Sequence, residues 1–392
     1  MVKTDRYVQF EAGKLTYRVV PVTEEIIRVI VSGKEIKEAQ DSLIIEKKEY
    51  PEVDFSAEEN AGSIVVKTAK VCAEINTASG DIIWKHADGS KWLSQKKPEL
   101  TETDVIHYNT GDEEPIINRV KTVDGERNFI QNLKAEKVRT AYRGKLFFTW
   151  KEEGIYNYRG HCQYLYQHNM RIPMPVLVST EGYGILVDCC SLMTFNDDLK
   201  DSYLFLDTVD QIDYYFMGGH TMDEIIHDYR YLTGKAQMLP KWAYGYVQSK
   251  EQYYTAKELL EIVRHYREIG VPLDCVVQDW NTWDPGNWGE KLLDQKRYGD
   301  MKECAEEIHK LNAHTMVSVW PNMNAGGKNH TEFFKTGHLL YDYATYDAFN
   351  EEAREMYWKQ AQEGLFDQGF DSWWCDSTEP FSGPDWGGAV KR

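Results

Sequence analysis

Near Pro240 the hydrophobic period of this chain changes, and no other feature of the sequence constrains its fold as strongly. From Tyr7 to about Ile212 the apolar residues come in short β-branched runs with partial period-two alternation, separated by Gly, Asn and Asp. Residues 63–75 read as a strand that turns at Ser79-Gly80-Asp81 into Ile82-Ile83-Trp84, and similar runs recur at 146–150, 176–179 and 185–187. Many short strands at this spacing predict an antiparallel sandwich. A helix is expected over 222–232. Beyond Pro240, strands at 242–249, 273–280, 315–320 and 370–376 alternate with helical spacing. Leu259, Leu260, Ile262, Val263, Tyr266 and Ile269 share one helical face that stops at Gly270 and Pro272. Met301, Cys304, Ala305, Ile308 and Leu311 mark a second such face, and Ala353, Met356, Tyr357, Gln360 and Ala361 a third. Four strands alternating with three helices predict a parallel βα architecture. The expected organisation is therefore a sandwich with a linking helix over 1–237 and a βα domain over 238–392.

The charge balance narrows the function classes. The chain has 45 Lys+Arg against 63 Asp+Glu over 392 residues, a net charge of −18, which lacks the basic footprint of a nucleic-acid or anionic-membrane binder. No apolar run is long enough for a transmembrane helix, and Met1-Val2-Lys3-Thr4-Asp5-Arg6 is not the start of a signal peptide. The 7 cysteines are odd in number, scattered and without a CxxC pair, which argues for a reduced, cytoplasmic setting and against a disulfide framework or a zinc site. His161 and His168 read as structural residues, and residues 325–329 lack phosphate-loop spacing, so no metal, nucleotide or other cofactor is expected. The 12 Trp, 25 Tyr and 14 Phe can build cores or flat platforms for sugars.

In a parallel barrel, catalytic groups collect at the C-terminal ends of the strands. Those ends read Gln248-Ser249-Lys250-Glu251, Gln278-Asp279-Trp280-Asn281-Thr282-Trp283-Asp284, Trp320-Pro321-Asn322-Met323-Asn324 and Trp373-Trp374-Cys375-Asp376-Ser377-Thr378-Glu379-Pro380. Acid, amide and indole groups at one end of successive strands suggest a polar, sugar-like site. Cleaving a glycosidic bond takes two carboxyl groups flanking it, because the transition state is an oxocarbenium ion. Asp279, Asp376 and Glu379 are the candidates, and spacing alone does not assign their roles. Each also reads as a helix cap or a solvated loop charge. Asp376 stands out because it ends a strand of bulky apolar residues. Trp280, Trp283, Trp288, Trp320, Trp373 and Trp374 read equally as barrel packing or as sugar platforms.

Residues 370–380 resemble the nucleophile segment of glycoside hydrolase family 31, whose motif ends in W-x-D-x-x-E. The resemblance extends through Gln211-Ile212-Asp213-Tyr214-Tyr215-Phe216, Tyr231-Leu232-Thr233-Gly234-Lys235 and the stretch 240–249, and includes Leu165-Tyr166-Gln167-His168-Asn169-Met170 and Glu181-Gly182-Tyr183-Gly184. It implies a retaining exo-α-glycosidase with an N-terminal antiparallel β-sandwich of the galactose mutarotase type followed by a (β/α)8 TIM barrel, and a carbohydrate as its partner. Carried over by motif, Asp376 is the nucleophile and Glu379 supports its loop. Asp279 accepts hydrogen bonds from sugar hydroxyls, and Trp280, Trp283, Trp320 and Trp374 line the subsite. Family members continue to an acid/base aspartate on a later strand, whereas this sequence reaches Arg392 after about four of eight strands. The expectation is a chain truncated within the barrel, lacking its proton donor, with little hydrolytic activity alone and an exposed edge that favours self-association. Trp373-Trp374-Cys375-Asp376 and Gln278-Asp279-Trp280 look closer to α-xylosidase-like branches than to α-glucosidases with W-x-D-M-N-E, while α-galactoside and α-N-acetylgalactosaminide branches have similar segments. A catalytically silent carbohydrate-binding protein is the alternative from another class. A metal-dependent hydrolase is disfavoured by the lack of a His pair at any strand end.

Overall fold

The computed structural model describes residues 1–37, 42, 44–46, 49–122, 125–149, 161–165, 173–197, 202–340 and 343–376. Two compact units emerge, one from residues 1–106 with 137–236 and one from residues 107–136 with 237–389.

The first unit is built from antiparallel sheets. One has seven strands in the spatial order Val2–Lys3, Val8–Ala12, Leu15–Pro21, Ile26–Ser32, Ile212–Gly218, Tyr183–Val187 and Val176–Ser179. A five-stranded meander runs from Ser56–Asn60 to Lys91–Gln95, and a second five-stranded sheet is centred on Lys134–Phe148 and Ser202–Val209. Period-two alternation buries Tyr17 and Val19 along Leu15–Pro21, and the inward residues of all three sheets meet in one core. At its centre the Trp84 and Phe216 rings stack with centroids 4.1 Å apart. The β-sandwich expected from the short alternating runs is therefore present. The run 63–75 divides, however, into Ser63–Lys67 and Val71–Asn76. Neither Gly nor Pro marks this turn; the Thr68 hydroxyl makes it, accepting from the Lys70 and Val71 amides at 3.3 and 3.0 Å.

The helix Met222–Thr233 closes this unit with its Ile225 and Leu232 buried. Its start is a capping box, in which Thr221 Oγ1 accepts from the Glu224 amide and the Glu224 carboxylate accepts from the Thr221 amide. Thr221→Ala is expected to cost about 1 kcal/mol, read as a lowered urea midpoint with an unchanged slope.

The second unit holds a four-stranded parallel sheet in sequence order, Val247–Gln248, Cys275–Gln278, His314–Val319 and Ser372–Cys375. The helices Ala256–Glu268 and Met301–Lys310 pack Leu259, Val263, Cys304 and Ile308 against Val276 and Val317 of the sheet. Glu351–Gly364 matches the third helical face, and Lys328–Thr336 is a further helix that the sequence reading did not pick out. The strand expected over 242–249 is shorter. Lys241–Tyr244 winds into a 3₁₀ turn after Pro240, and only Val247–Gln248 joins the sheet. A boundary at residue 237 assigns the hairpin Ile117–Thr122/Gly125–Ile130 to the sandwich, but it belongs to the second unit. There Asn128 Nδ2 donates to the Ala325 carbonyl at 2.9 Å, just past the third parallel strand. Among the described residues no helix is long and apolar enough to cross a membrane.

Candidate active site

Parallel pairing sets the site. Gln278 lies opposite Val317, and Val319 opposite Cys375, so Asp279, Trp320 and Asp376 leave three neighbouring strands at the same end. The Asp376 amide donates to the Val319 carbonyl at 3.0 Å, which extends the pairing by one residue and fixes the backbone beneath its side chain. Asp279 Oδ1 accepts from the Trp280 amide at 2.8 Å. Its carboxyl is pushed up, first by burial and then by the charges of Asp376 and Glu251, while the Trp280 amide opposes the rise. Two of the three predicted carboxylates thus share one electrostatic environment, and Glu251 from the first strand end joins them. Glu379 lies outside the described residues, as does most of the 165–170 motif.

The indoles sort into two groups. Trp283, Trp288 and Trp320 are buried in one cluster with Trp280 half-buried against it, and Trp288 meets Trp320 edge-on at 4.6 Å. Trp320 donates its N–H to Ser318 Oγ at 3.0 Å and Trp288 to Asn322 Oδ1 at 3.3 Å. Trp374 differs, being 41% exposed at the fourth strand. Trp373 packs edge-on against Trp358 on the helical side.

The loop after Asp279 is held rigidly. Arg297 donates to the Asn281 and Trp283 carbonyls at 2.8 and 2.6 Å, and Asn324 Nδ2 to the Gly286 carbonyl at 2.9 Å. Residues 284–287 turn as the Asp-Pro-Gly-Asn signal suggests, with the Asn287 amide bonded to the Asp284 carbonyl. Gly289 has φ +78°, and a Cβ there would sit 1.8 Å from the Asn322 carbonyl oxygen. Only glycine permits that approach.

The sequence reading passed over Glu290 and Lys291, because adjacent opposite charges ordinarily mark a solvated surface. Lys291 is 1% exposed. Its Nζ donates to the Gly289 and Trp320 carbonyls at 2.9 and 3.0 Å and lies 4.3 Å from the Tyr357 ring centroid. The Tyr357 hydroxyl also donates to the Trp320 carbonyl, so the residue that follows the third strand is clamped from two sides. Glu290 accepts from the Asn329 and His330 amides at the start of Lys328–Thr336. Burial pushes the Lys291 ammonium down to about 7, opposed by the Glu290 charge. Between that value and the unfolded lysine value of about 10.4, the unfolded chain holds a proton that the folded chain has released, so stability rises with pH. Urea unfolding is expected to show the wild type gaining stability over Lys291→Met between about pH 7 and pH 9. An equal difference at both pH values would mean that Lys291 stays charged when buried.

Among the described residues no group of three or more His, Cys, Asp and Glu is arranged to hold a metal ion. The chemistry available at these strand ends is that of carboxylates beside indole walls.

Residues 236–391 match the family model described as the glycosyl hydrolases family 31 TIM-barrel domain. An α-xylosidase of Saccharolobus solfataricus is 30% identical over 380 residues, covering 95% of this chain and 49% of that protein. The α-xylosidase XylQ of Lactiplantibacillus pentosus is 24% identical, covering 80% of this chain and 39% of its own length. Among solved structures, a GH31 α-xylosidase from Xanthomonas citri superposes with a TM-score of 0.77 at 20% identity, covering 98% of this chain and 58% of that one. A GH31 α-xylosidase from a soil metagenome, complexed with xylose, gives 0.76 at 20% identity, covering 97% and 57%. The chain thus spans about half the length of the curated α-xylosidase it matches over 380 residues. A β-sandwich followed by part of a TIM barrel, a pair of strand-end carboxylates and these similarities lead to one conclusion: the chain belongs to glycoside hydrolase family 31.

Proposed function

We propose that the polypeptide is a retaining exo-α-glycosidase that removes terminal α-linked sugars, α-xylosides in preference to α-glucosides, with Asp376 as its nucleophile. The observation that carries this reading is the placement of Asp376 and Asp279 at the same end of the sheet, on strands either side of His314–Val319, close enough for the charge of one to push up the carboxyl of the other. In this reading an oxygen of Asp376 attacks the anomeric carbon and forms a glycosyl ester, while the bond to the leaving oxygen breaks and that oxygen takes up a proton. Water then hydrolyses the ester and frees Asp376. Asp279 accepts hydrogen bonds from ring hydroxyls, and the indoles at 280, 283, 320 and 374 form the apolar walls that face the sugar. The proton donor falls on barrel strands beyond these residues, so the activity is proposed for the polypeptide with a complete barrel. The preference for xylosides rests on the Trp373-Trp374-Cys375-Asp376 context and on the names of the α-xylosidase relatives.

The direct test is covalent trapping. A 5-fluoro glycosyl fluoride of the xylo series should lose fluoride and leave a single ester on the peptide that contains Asp376, located by mass spectrometry. A label on Asp279, or no label on a protein that hydrolyses an aryl α-xyloside, overturns the assignment. A higher kcat/KM on the aryl α-glucoside than on the α-xyloside overturns the substrate preference alone.

A further inference from the structure

The reaction proposed for this polypeptide gives no task to Lys291, yet the second unit holds that side chain in its interior with its backbone pinned on both sides. The Lys291 amide donates to Asn329 Oδ1 at 2.8 Å, in the first turn of Lys328–Thr336. At the end of Glu351–Gly364, a Cβ on Gly364 would lie 1.8 Å from the Lys291 carbonyl oxygen, an approach that only glycine permits. From this fixed point the side chain links the loop after Cys275–Gln278 to the end of His314–Val319, where Nζ donates to the Gly289 and Trp320 carbonyls at 2.9 and 3.0 Å.

The Trp320 carbonyl is where such a hold matters. Val319 is the last residue of its strand to pair with Ser372–Cys375, so Trp320 lies past the ladder. Pro321 follows, and a prolyl nitrogen has no N–H with which to fix the peptide between them. The carbonyl is therefore the handle on that peptide, and both of its lone pairs are taken, one by Lys291 Nζ and one by the Tyr357 hydroxyl at 3.0 Å. The same residue carries the indole that donates to Ser318 Oγ and meets Trp288 edge-on. Its strand runs between those that lead to Asp279 and Asp376, so a shift of this peptide moves an indole between the two carboxylates. An apolar side chain of similar length would fill the space without burying a charge, but it has nothing to donate. Burial brings the ammonium down to about 7, and the neutral amine still has one N–H for each carbonyl.

We propose that Lys291 is a positioning residue: with Tyr357 it fixes the Trp320 carbonyl, and through it sets where the Trp320 indole stands between Asp279 and Asp376. Lys291 acts on the reaction only through Trp320. Its effect on turnover rests on the glycosidase reading, whereas its hold on the indole stands without it.

Two variants test this. Lys291→Met keeps the length of the side chain, and Tyr357→Phe removes one hydroxyl while keeping the ring that stacks on Tyr346 at 4.3 Å. In the isotopically labelled chain, the Trp320 indole N–H resonance, assigned by its loss in Trp320→Phe, is expected to move in both variants. The Trp242 signal should stay in place, since that ring stacks on His314 at the opposite end of the same strand. In the polypeptide with a complete barrel, Lys291→Met is expected to lower kcat/KM on an aryl α-xyloside ten- to hundredfold, the scale of a misplacement of about 1 Å, and Tyr357→Phe several-fold. A lysine that served stability alone would change the urea midpoint and leave the folded enzyme's kinetics and the Trp320 signal untouched. A Trp320 signal that stays in place in either variant overturns the proposal, as does an unchanged kcat/KM in Lys291→Met of an enzyme that hydrolyses the xyloside. A wild type without glycosidase activity, in which the Trp320 signal still answers to both variants, refutes the glycosidase reading and leaves the positioning role standing.

Discussion

Asp376→Asn is expected to lower kcat on an aryl α-xyloside by about 10⁴-fold or more in the polypeptide with a complete barrel, with little change in its unfolding midpoint. The asymmetry follows from where Asp376 sits. Its backbone is held by its own amide on the Val319 carbonyl, a bond the substitution leaves alone. The side chain is half-exposed beyond the last paired residue of Ser372–Cys375, so the sheet does not depend on it. An amide of the same size keeps the shape but cannot form the glycosyl ester. A second readout separates loss of a nucleophile from loss of structure. Asp279 is pushed up partly by the Asp376 charge, so Asp376→Asn should bring the Asp279 carboxyl back toward its ordinary range. Carbon-detected NMR titration of the Asp279 carboxyl reads this directly. Turnover within tenfold of wild type would remove Asp376 from the chemistry and pass the role to Asp279 or Glu251. Lost turnover with an unmoved Asp279 titration would mean that the two groups are not neighbours in solution.

Local rules explain which parts of this arrangement the sequence disclosed. The helical faces at Ala256–Glu268, Met301–Lys310 and Glu351–Gly364 were legible because their buried residues recur at the helical period and one of them stops at Gly270, where φ is +71°. Asp376 was legible because an acid ending an apolar strand is anomalous wherever it occurs. The features that escaped either leave no compositional signal or depend on distant partners. Thr68 turns a continuous β-branched run with one hydroxyl, leaving no compositional trace. The hairpin over 117–130 joins the second unit through Asn128, nearly two hundred residues before the loop it contacts. Which indoles are buried and which stay open was likewise hidden, since Trp320 and Trp374 are both tryptophans at strand ends and differ only in what packs over them. Lys291 is the clearest case. Its charge reads as surface, and only the carbonyls of Gly289 and Trp320 account for its place in the interior.

Arg28→Ala is expected to destabilise the first unit by about 3–5 kcal/mol, because it strands a carboxylate inside a sheet. The strand Ile212–Gly218 is buried at every position, Asp213 included, which is 8% exposed. Its partner is Arg28 on the neighbouring strand, whose Nε donates to Asp213 Oδ1 at 2.8 Å while Nη2 donates to Oδ2. Even with this fork in place, burial leaves the Asp213 carboxyl above its usual range, and Asp188 nearby is pushed up to about 6 by burial and by the Asp213 charge. Both groups have folded values above the unfolded value of about 3.9, so in the window between them the folded chain keeps a proton that the unfolded chain has lost, and stability falls as pH rises. Arg28 limits how far that window extends. Without it the window reaches higher, and the deficit of Arg28→Ala should be larger at pH 8 than at pH 5 in urea unfolding. The double variant Arg28→Met with Asp213→Leu should recover much of the loss, since an apolar pair of similar volume avoids burying either charge. A deficit independent of pH, or a double variant no more stable than Arg28→Ala, would show that Arg28 acts through its packing on the Tyr215 ring, 5.4 Å away, and not through the carboxylate.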